Sequence, residues 1–142
     1  MKQPEPLTFF LDRSLGKQTV AGALRNAGVL AEVHDDHFAP DAKDQEWLPE
    51  VGKRRWIVLT KDRRFHNRLL EITAIARSNV RVFKLTASGI QGQEMASIFV
   101  HAIRKISRVA IGNPAPFIAT VTRSGAVSVV LSAAKLKRYK LG

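Results

Sequence analysis

The chain has 142 residues with 45% hydrophobic content, which fits a single globular domain with one core. It contains no cysteine, so disulfide bonds, thiolate zinc sites and a cysteine nucleophile are excluded. The 23 lysines and arginines outnumber the 12 aspartates and glutamates, which leaves a net charge of +11. This excess favours a polyanionic partner, either nucleic acid or an acidic protein.

The two ends of the chain differ in composition from its middle. Residues 1–6 are polar, contain proline and lack the apolar segment of a signal peptide, so we expect a flexible N-terminus. No apolar run is long enough to span a membrane, and the expected location is the cytoplasm. Residues 133–142 are expected to form a basic C-terminal tail, which leaves residues 7–132 as the folded domain.

The first third of the chain predicts two strands with a helix between them. Residues 7–11 are a short apolar run that ends at Asp12, which is typical of a buried strand. Apolar residues recur at helical spacing over residues 17–27, and residues 30–34 predict the second strand. The polar residues 35–43 are expected to form a loop.

The middle of the chain predicts a helix, a strand and another helix. We expect the first helix to begin at Asp44 and to end at Gly52. Residues 56–60 are rich in β-branched and aromatic side chains and predict a buried strand. The helix that follows is expected to bury one apolar face, formed by Leu69, Ile72 and Ala76.

The remaining elements complete an alternating order. Residues 80–85 predict a strand, and residues 91–109 predict the longest helix. Residues 117–122 and 126–131 predict a hairpin. Because strands that alternate with helices form βαβ units, we predict an α/β fold of three layers with a mostly parallel central sheet and a C-terminal β-hairpin.

Three aspartates stand where such a sheet could bring them to one edge. Asp12 and Asp62 each come directly after a predicted strand, and Asp44 begins a helix. Carboxylates that meet at one point repel one another unless a cation lies between them, and Mg²⁺ and Mn²⁺ prefer oxygen ligands. Such a cation would polarise a phosphate and activate a water molecule. The alternative is that Asp44 and Asp62 are only helix caps or turn residues.

Two segments resemble the signatures of one family. Residues 9–14, Phe-Phe-Leu-Asp-Arg-Ser, resemble the opening motif of PIN and PIN-like domains: a strand, an aspartate, then a small polar residue two positions later. Residues 44–65 resemble the second signature, in which an aspartate opens a helix, a glycine ends it, and a strand closes in a Thr-x-Asp-x-x-Phe turn. The resemblance covers about the first half of the chain.

The resemblance implies a three-layer PIN-like fold and a metal-dependent endoribonuclease, often the toxin of a type II toxin–antitoxin pair of the VapC type. Asp12, Asp44 and Asp62 would then hold Mg²⁺ or Mn²⁺. Ser14 and Thr60 would orient these ligands, or water on the metal, through hydroxyl hydrogen bonds. The implied partners are an RNA substrate and an antitoxin protein. A homodimer would be a further assembly if part of the apolar stripe of the longest helix stayed exposed.

One feature departs from the pattern of full PIN domains, which usually carry a further acidic residue between the first strand and the position of Asp44. Asp36 is the candidate for this fourth metal ligand, with Asp35 as its alternative, whereas Glu32 falls inside a predicted strand. The chain therefore resembles a reduced PIN-like group with a shortened arm. A non-catalytic module that binds RNA or protein through a degenerate metal site is the rival interpretation.

Basic residues flank the proposed site, among them residues 53–55 and Arg68, and four are the candidate RNA contacts: Arg13, Lys61, Arg63 and Arg64. Because arginine forks match the geometry of phosphate, we predict that these side chains guide an RNA backbone toward the metal. A solvated surface, or a seat for an acidic antitoxin segment, is an equally good interpretation of the same residues.

Two further interpretations remain open. His34 and His37 have a spacing that could hold zinc or nickel, but no third histidine is near in sequence, so a polar loop is favoured. A receiver-type domain would use Asp62 and Lys84. Receivers usually pair two acids early in the chain, where this sequence has only Asp12.

Overall fold

A six-stranded sheet forms the centre of the computed structural model, which describes residues 6–61 and 68–140. The strands are β1 (Thr8–Leu11), β2 (Leu30–Val33), β3 (Ile57–Thr60), β4 (Arg81–Leu85), β5 (Phe117–Val121) and β6 (Val127–Leu131). They lie in the order β2-β1-β3-β4-β5-β6, with the first five parallel and β6 antiparallel to β5. This order confirms the predicted α/β fold with a mostly parallel sheet and a C-terminal hairpin.

Five α-helices within the described residues cover the two faces of the sheet. They are α1 (Thr19–Asn26), α2 (Asp44–Lys53), α3 (Leu69–Ser78), α4 (Gly92–Gly112) and α5 (Ala133–Lys140). Helices α1 and α4 pack on one face, and α2, α3 and α5 pack on the other. In the part of the chain that the structure describes, no helix has the length and apolar character needed to cross a membrane.

Strand β1 shows how the sequence supplies both layers of the core. Successive side chains of a strand point to opposite faces of a sheet. Phe9 and Leu11 therefore join the core beneath α1 and α4, whereas Phe10 points to the other face. There its ring centroid lies 5.1 Å from that of Trp47. Burial on both faces explains why β1 is apolar without a break.

Gly52 has a role that differs from the sequence prediction. We predicted that it ends the helix, but α2 continues to Lys53 and also contains Pro49. A Cβ atom at Gly52 would lie 2.0 Å from the backbone oxygen of Ser78. The residue is therefore a glycine because α2 and the end of α3 approach each other too closely for any side chain.

The residues expected to form a basic tail instead form α5. Leu136 is fully buried among the side chains of α2 and α3, while Lys135, Lys137 and Arg138 face solvent. Leu136 and Tyr139, which pack against this core, stand among basic residues, so the segment has the composition of a solvated tail. The folded domain therefore extends to residue 140, beyond the predicted boundary at residue 132.

The prediction that one face of α3 is buried is confirmed for Ile72 and Ala76 and is wrong for Leu69. Ile72 and Ala76 are buried, but Leu69 is 69% exposed. Leu69 is the first residue of the helix, and the buried face begins only at Glu71. The helical spacing was correct, but it did not show where contact with neighbouring elements begins.

Candidate active site

The site lies where the chain connections of the sheet diverge. Strand β1 has β2 on one side and β3 on the other, so the connections after β1 and β3 leave the sheet in different directions. Ligands of open α/β sheets bind at such a switch point, beyond the carboxyl ends of the strands. Asp12 follows β1 there, and its backbone N–H donates to the carbonyl of Leu59 in β3 at 3.2 Å.

Asp12 is held by hydrogen bonds at this point, with 5% of its surface exposed. The backbone N–H of Ser14 donates to Asp12 Oδ1 at 2.9 Å, and the Ser14 hydroxyl donates to the same oxygen. The hydroxyl of Thr60, which is fully buried, donates to Asp12 Oδ2 at 2.6 Å. Both carboxylate oxygens are therefore fixed in orientation by the chain itself.

The two hydroxyl oxygens lie 3.2 Å apart, but each hydroxyl has only one proton. Because both protons are donated to Asp12, the contact between Ser14 and Thr60 adds no further hydrogen bond. Ser14 Oγ instead accepts from the backbone N–H of Lys61 at 3.0 Å. This chain of bonds links the turn after β1 to the turn after β3.

A cavity of about 770 Å³ opens in front of Asp12. We call it the acidic cavity, because four carboxylates line it: Asp12, Asp41, Asp44 and Glu71. Asp44 is the first residue of α2, as predicted, and Glu71 lies in the first turn of α3. The N-terminal ends of the two helices thus lie at the cavity in front of Asp12, at the end of β1.

The acidic side chains that line the cavity offer carboxylate oxygens as donor atoms. Oxygen donors are the ligands that a hard divalent cation prefers, so the cavity fits such an ion. Within residues 6–61 and 68–140, however, no three acidic or histidine side chains are grouped closely enough to hold a metal by themselves. The third predicted ligand, Asp62, lies outside the described residues together with Arg63 and Arg64. Mg²⁺ usually keeps several waters and binds through one or two carboxylates, so the described residues are compatible with a hydrated ion.

Asp36, the predicted fourth ligand, is exposed and is not among the residues that line the acidic cavity. Its neighbour Asp35 pairs with Arg13 Nε at 3.3 Å and with Lys17 Nζ at 3.2 Å. The hydrogen bond with His34, together with the nearby charges of Lys17 and Arg13, lowers the pKa of Asp35. Asp35 therefore connects the turn after β2 to Arg13 and Lys17 through ion pairs.

Of the four basic residues predicted to contact RNA, the structure describes two, Arg13 and Lys61. Arg13 lines the acidic cavity, and its Nη1 donates to the carbonyl of Pro40 at 2.6 Å. Its side chain remains 54% exposed, so the guanidinium is accessible although it is held in position. Lys61 is exposed next to the end of β3.

The histidine pair does not converge on one point. His34 Nδ1 lies 2.9 Å from Asp35 Oδ1, whereas His37 Nε2 lies 3.1 Å from Glu32 Oε2. Each histidine thus has its own carboxylate partner, and the zinc or nickel interpretation gains no support. His34 is buried and lines the acidic cavity, which the sequence did not indicate.

Glu71 is the residue that sequence reasoning missed. Its side chain is buried, with 7% of its surface exposed, although the apolar pattern of α3 gives it no part in the core. The available signal was a glutamate at the third position of a helix that follows the Thr-x-Asp-x-x-Phe turn. That signal by itself also fits an ordinary helix start.

Comparison with known proteins identifies the family. The family model described as PIN like domain matches residues 7–87, which is more than half of the chain. The chain belongs to the PIN-like domain family. The matched part of this PIN-like protein runs from just before β1 to just after β4, and it includes Asp12, Asp44, Thr60 and Glu71. The suggested resemblance and the PIN-like fold are thereby confirmed.

A curated relative covers more of this PIN-like chain. It is the Mycobacterium tuberculosis protein named "Putative ribonuclease VapC45", with 29% identity over 125 residues. The alignment covers 85% of this chain and 90% of that protein, so it extends beyond β4. No solved structure gives a significant match to the chain.

Proposed function

We propose that this PIN-like protein is an endoribonuclease that requires Mg²⁺ or Mn²⁺ and hydrolyses RNA phosphodiester bonds. The observation that carries the proposal is the buried carboxylate of Asp12, fixed by Ser14 and Thr60 at the switch point of the sheet. Asp44 and Glu71 line the same cavity. Membership of the family and the name of the mycobacterial relative support the nuclease class.

Asp12, Asp44 and Asp62 are the residues that would hold the cation. Asp36, the fourth ligand predicted from the sequence, is not among the residues that line the acidic cavity. When bound, a divalent cation at this position polarises the phosphate and lowers the pKa of the attacking water. The chain's own contribution is to hold Asp12 in one orientation through Ser14 and Thr60, so that binding needs little rearrangement there.

The basic residues would bind the RNA backbone. Arg13 is held at the cavity by Pro40 and Asp35 and keeps an exposed guanidinium, which suits a phosphate. Lys61, Arg63 and Arg64 would continue this contact beyond the end of β3. In the reaction, the water oxygen bonds to phosphorus and the water gives up a proton, while the bond from phosphorus to the leaving ribose oxygen breaks and that oxygen takes up a proton.

We further propose that the protein is the toxin of a type II toxin–antitoxin pair and acts in the cytoplasm. The relative named VapC45 supports this role, and the net charge of +11 would suit an acidic segment of an antitoxin.

The apolar stripe of α4, a candidate surface for a homodimer, is largely core: its buried residues are Met95, Ile98, Phe99, Ala102 and Ile106. A homodimer would therefore need another surface.

The second candidate is a non-catalytic PIN-like module that binds RNA or protein. The observation that favours it is that no three acidic groups of the described residues stand together as a metal cluster. Both candidates share the fold and the basic surface, so they differ only in metal binding and in chemistry.

The test is incubation of the full chain with RNA and Mn²⁺, beside reactions with EDTA and with Asp12→Asn or Asp62→Asn. We expect cleavage only by the unmodified chain with Mn²⁺, and a Tm that rises with Mn²⁺ concentration. Equal cleavage in all reactions would reveal a contaminating nuclease. RNA binding without cleavage, and without a rise in Tm, would replace the proposal by the non-catalytic module.

A further inference from the structure

We infer that Glu71 belongs to the divalent-cation site of the acidic cavity and supplies a carboxylate that the sequence motifs do not contain. The inference deepens the proposed function and rests on it, because it assigns a further residue to the same cation. It depends on three observations on Glu71: its burial, its unpaired oxygen and its contrast with an equivalent glutamate elsewhere in the chain.

Glu71 is buried with one carboxylate oxygen that lacks a hydrogen-bond partner. Its relative exposure is 7%, and Oε2 has no hydrogen-bond partner among residues 6–61 and 68–140. Burying a carboxylate oxygen without a partner is costly, and such atoms in native proteins often mark a bound ion. The Glu71 side chain lines the acidic cavity together with Asp12, so both carboxyl groups belong to the wall of the same space.

The charges around the cavity agree with a cation. Four of its lining residues are acidic, two, Arg13 and Lys43, carry a positive charge, and one is a histidine, His34. The Arg13 guanidinium is already engaged by Asp35 and by the carbonyl of Pro40. A chain of net charge +11 thus places four carboxylates around this cavity, where a bound cation would reduce the repulsion among them.

Glu46 shows what an ordinary glutamate does at the same position of a helix. Glu46 and Glu71 are both the third residue of their helices, α2 and α3. Glu46 Oε2 accepts from the backbone N–H of Lys43 at 3.2 Å, which is the usual bond of a helix start. Glu71 accepts no such bond from the backbone N–H of Arg68, the residue before α3, and its side chain lines the acidic cavity instead. A capping bond of this kind therefore does not explain its position.

The matched pair of variants Glu71→Gln and Glu46→Gln tests this inference. Mn²⁺ affinity is measured by isothermal titration calorimetry on the full chain, and the Tm is measured without metal. We expect Glu71→Gln to weaken Mn²⁺ binding at least about tenfold, because the site loses a charge and an oxygen ligand. We expect its metal-free Tm to equal or exceed that of the unmodified chain, because a buried repulsive charge is removed. Glu46→Gln should bind Mn²⁺ like the unmodified chain.

The outcomes separate this inference from the proposed function. If Asp12→Asn abolishes Mn²⁺ binding while Glu71→Gln binds normally, the cation site stands and the role of Glu71 is overturned. A metal-free Tm that falls further in Glu71→Gln than in Glu46→Gln would assign Glu71 to helix stabilisation and also overturn it. If the unmodified chain shows no saturable Mn²⁺ binding, the proposed function and this inference fail together.

Discussion

Buried polar residues of the described chain concentrate at the carboxyl edge of the sheet, whereas the layer of α2, α3 and α5 is packed with apolar side chains. The buried polar residues are Asp12, His34, Thr60, Glu71 and Lys84. The first two directly follow β1 and β2, Thr60 ends β3, Lys84 lies near the end of β4, and Glu71 begins α3 beside them. Burial of polar groups costs stability, so their confinement to one edge marks it as the functional region.

The helix layer has the complementary character. Its buried members beneath the sheet face are Trp47, Leu48, Val51, Ile72, Ile75, Ala76 and Leu136. Apolar burial of this kind supplies most of the free energy of folding. Substitutions in the layer should therefore change stability and spare the cation site, while substitutions at the edge should affect both. The following variants test that division, from the largest expected effect to the smallest.

Leu136→Ala should give the largest loss of stability. Leu136 is fully buried, so its removal leaves a cavity between α5 and the rest of the layer. We expect the free energy of unfolding to fall by about 2–5 kcal/mol, measured by urea denaturation. Lys137→Ala, at an exposed neighbouring position, is the control and should change it little. Equal stabilities of the two variants would mean that α5 does not belong to the folded domain.

Thr60→Val should lower both the stability of the protein and its affinity for Mn²⁺. The substitution removes the hydroxyl that donates to Asp12 Oδ2 at 2.6 Å. A hydrogen bond to a charged group contributes about 1.5–3 kcal/mol, so we expect a loss of that order by urea denaturation. Mn²⁺ binding should weaken as well, since Asp12 loses its fixed orientation. Thr86→Val is the control, because the Thr86 hydroxyl makes only a 3.4 Å contact with a neutral carbonyl. Unchanged Mn²⁺ affinity in Thr60→Val would contradict the orienting role.

Gly52→Ala should destabilise the layer of α2, α3 and α5 and leave the cation site at the carboxyl edge of the sheet unchanged. The added Cβ would lie 2.0 Å from the backbone oxygen of Ser78, so the two helices must move apart. We expect a loss of about 1–3 kcal/mol in the free energy of unfolding and an unchanged Mn²⁺ affinity. Gly22→Ala in α1 has open space around the new Cβ, and alanine is the better helix former. It should therefore stabilise the protein, and a shared sign for both variants would refute the close-approach argument.

Asp35→Asn should have the smallest effect and the clearest pH dependence. The hydrogen bond from His34, with the charges of Lys17 and Arg13, lowers the pKa of Asp35 from its ordinary value of 3.8. A carboxyl whose pKa is lowered by folding stabilises the protein above its unfolded pKa, and this contribution is lost as the pH falls through the folded pKa. The Tm difference between the unmodified chain and Asp35→Asn should thus be constant above about pH 5 and should shrink below pH 3.8. Parallel curves of Tm against pH would contradict it.

The sequence predicted the strands and helices well because their signals are local. The apolar runs of β1 and β3 and the spacing of α4 are properties of a few adjacent residues. The alternating order of elements then implied a parallel sheet with Asp12 and Asp62 at its carboxyl edge. The structure places Asp12 there, and Asp62 lies outside the described residues. The first half of the chain also carried the family motifs, which the match over residues 7–87 confirmed.

The tertiary structure decided what depends on contacts between distant residues. Gly52 is required by Ser78, Leu136 is buried by α2 and α3, and Asp36 is left outside the acidic cavity, although nothing adjacent to them in the sequence indicates this. Glu71 has the same local setting as Glu46, yet only one of them faces a cavity. Local pattern fixes which residues form an element, because it reflects backbone preference and periodic burial. Which face of that element meets which neighbour is fixed by packing of the whole chain, so the full set of residues around the cavity emerges only from the folded structure.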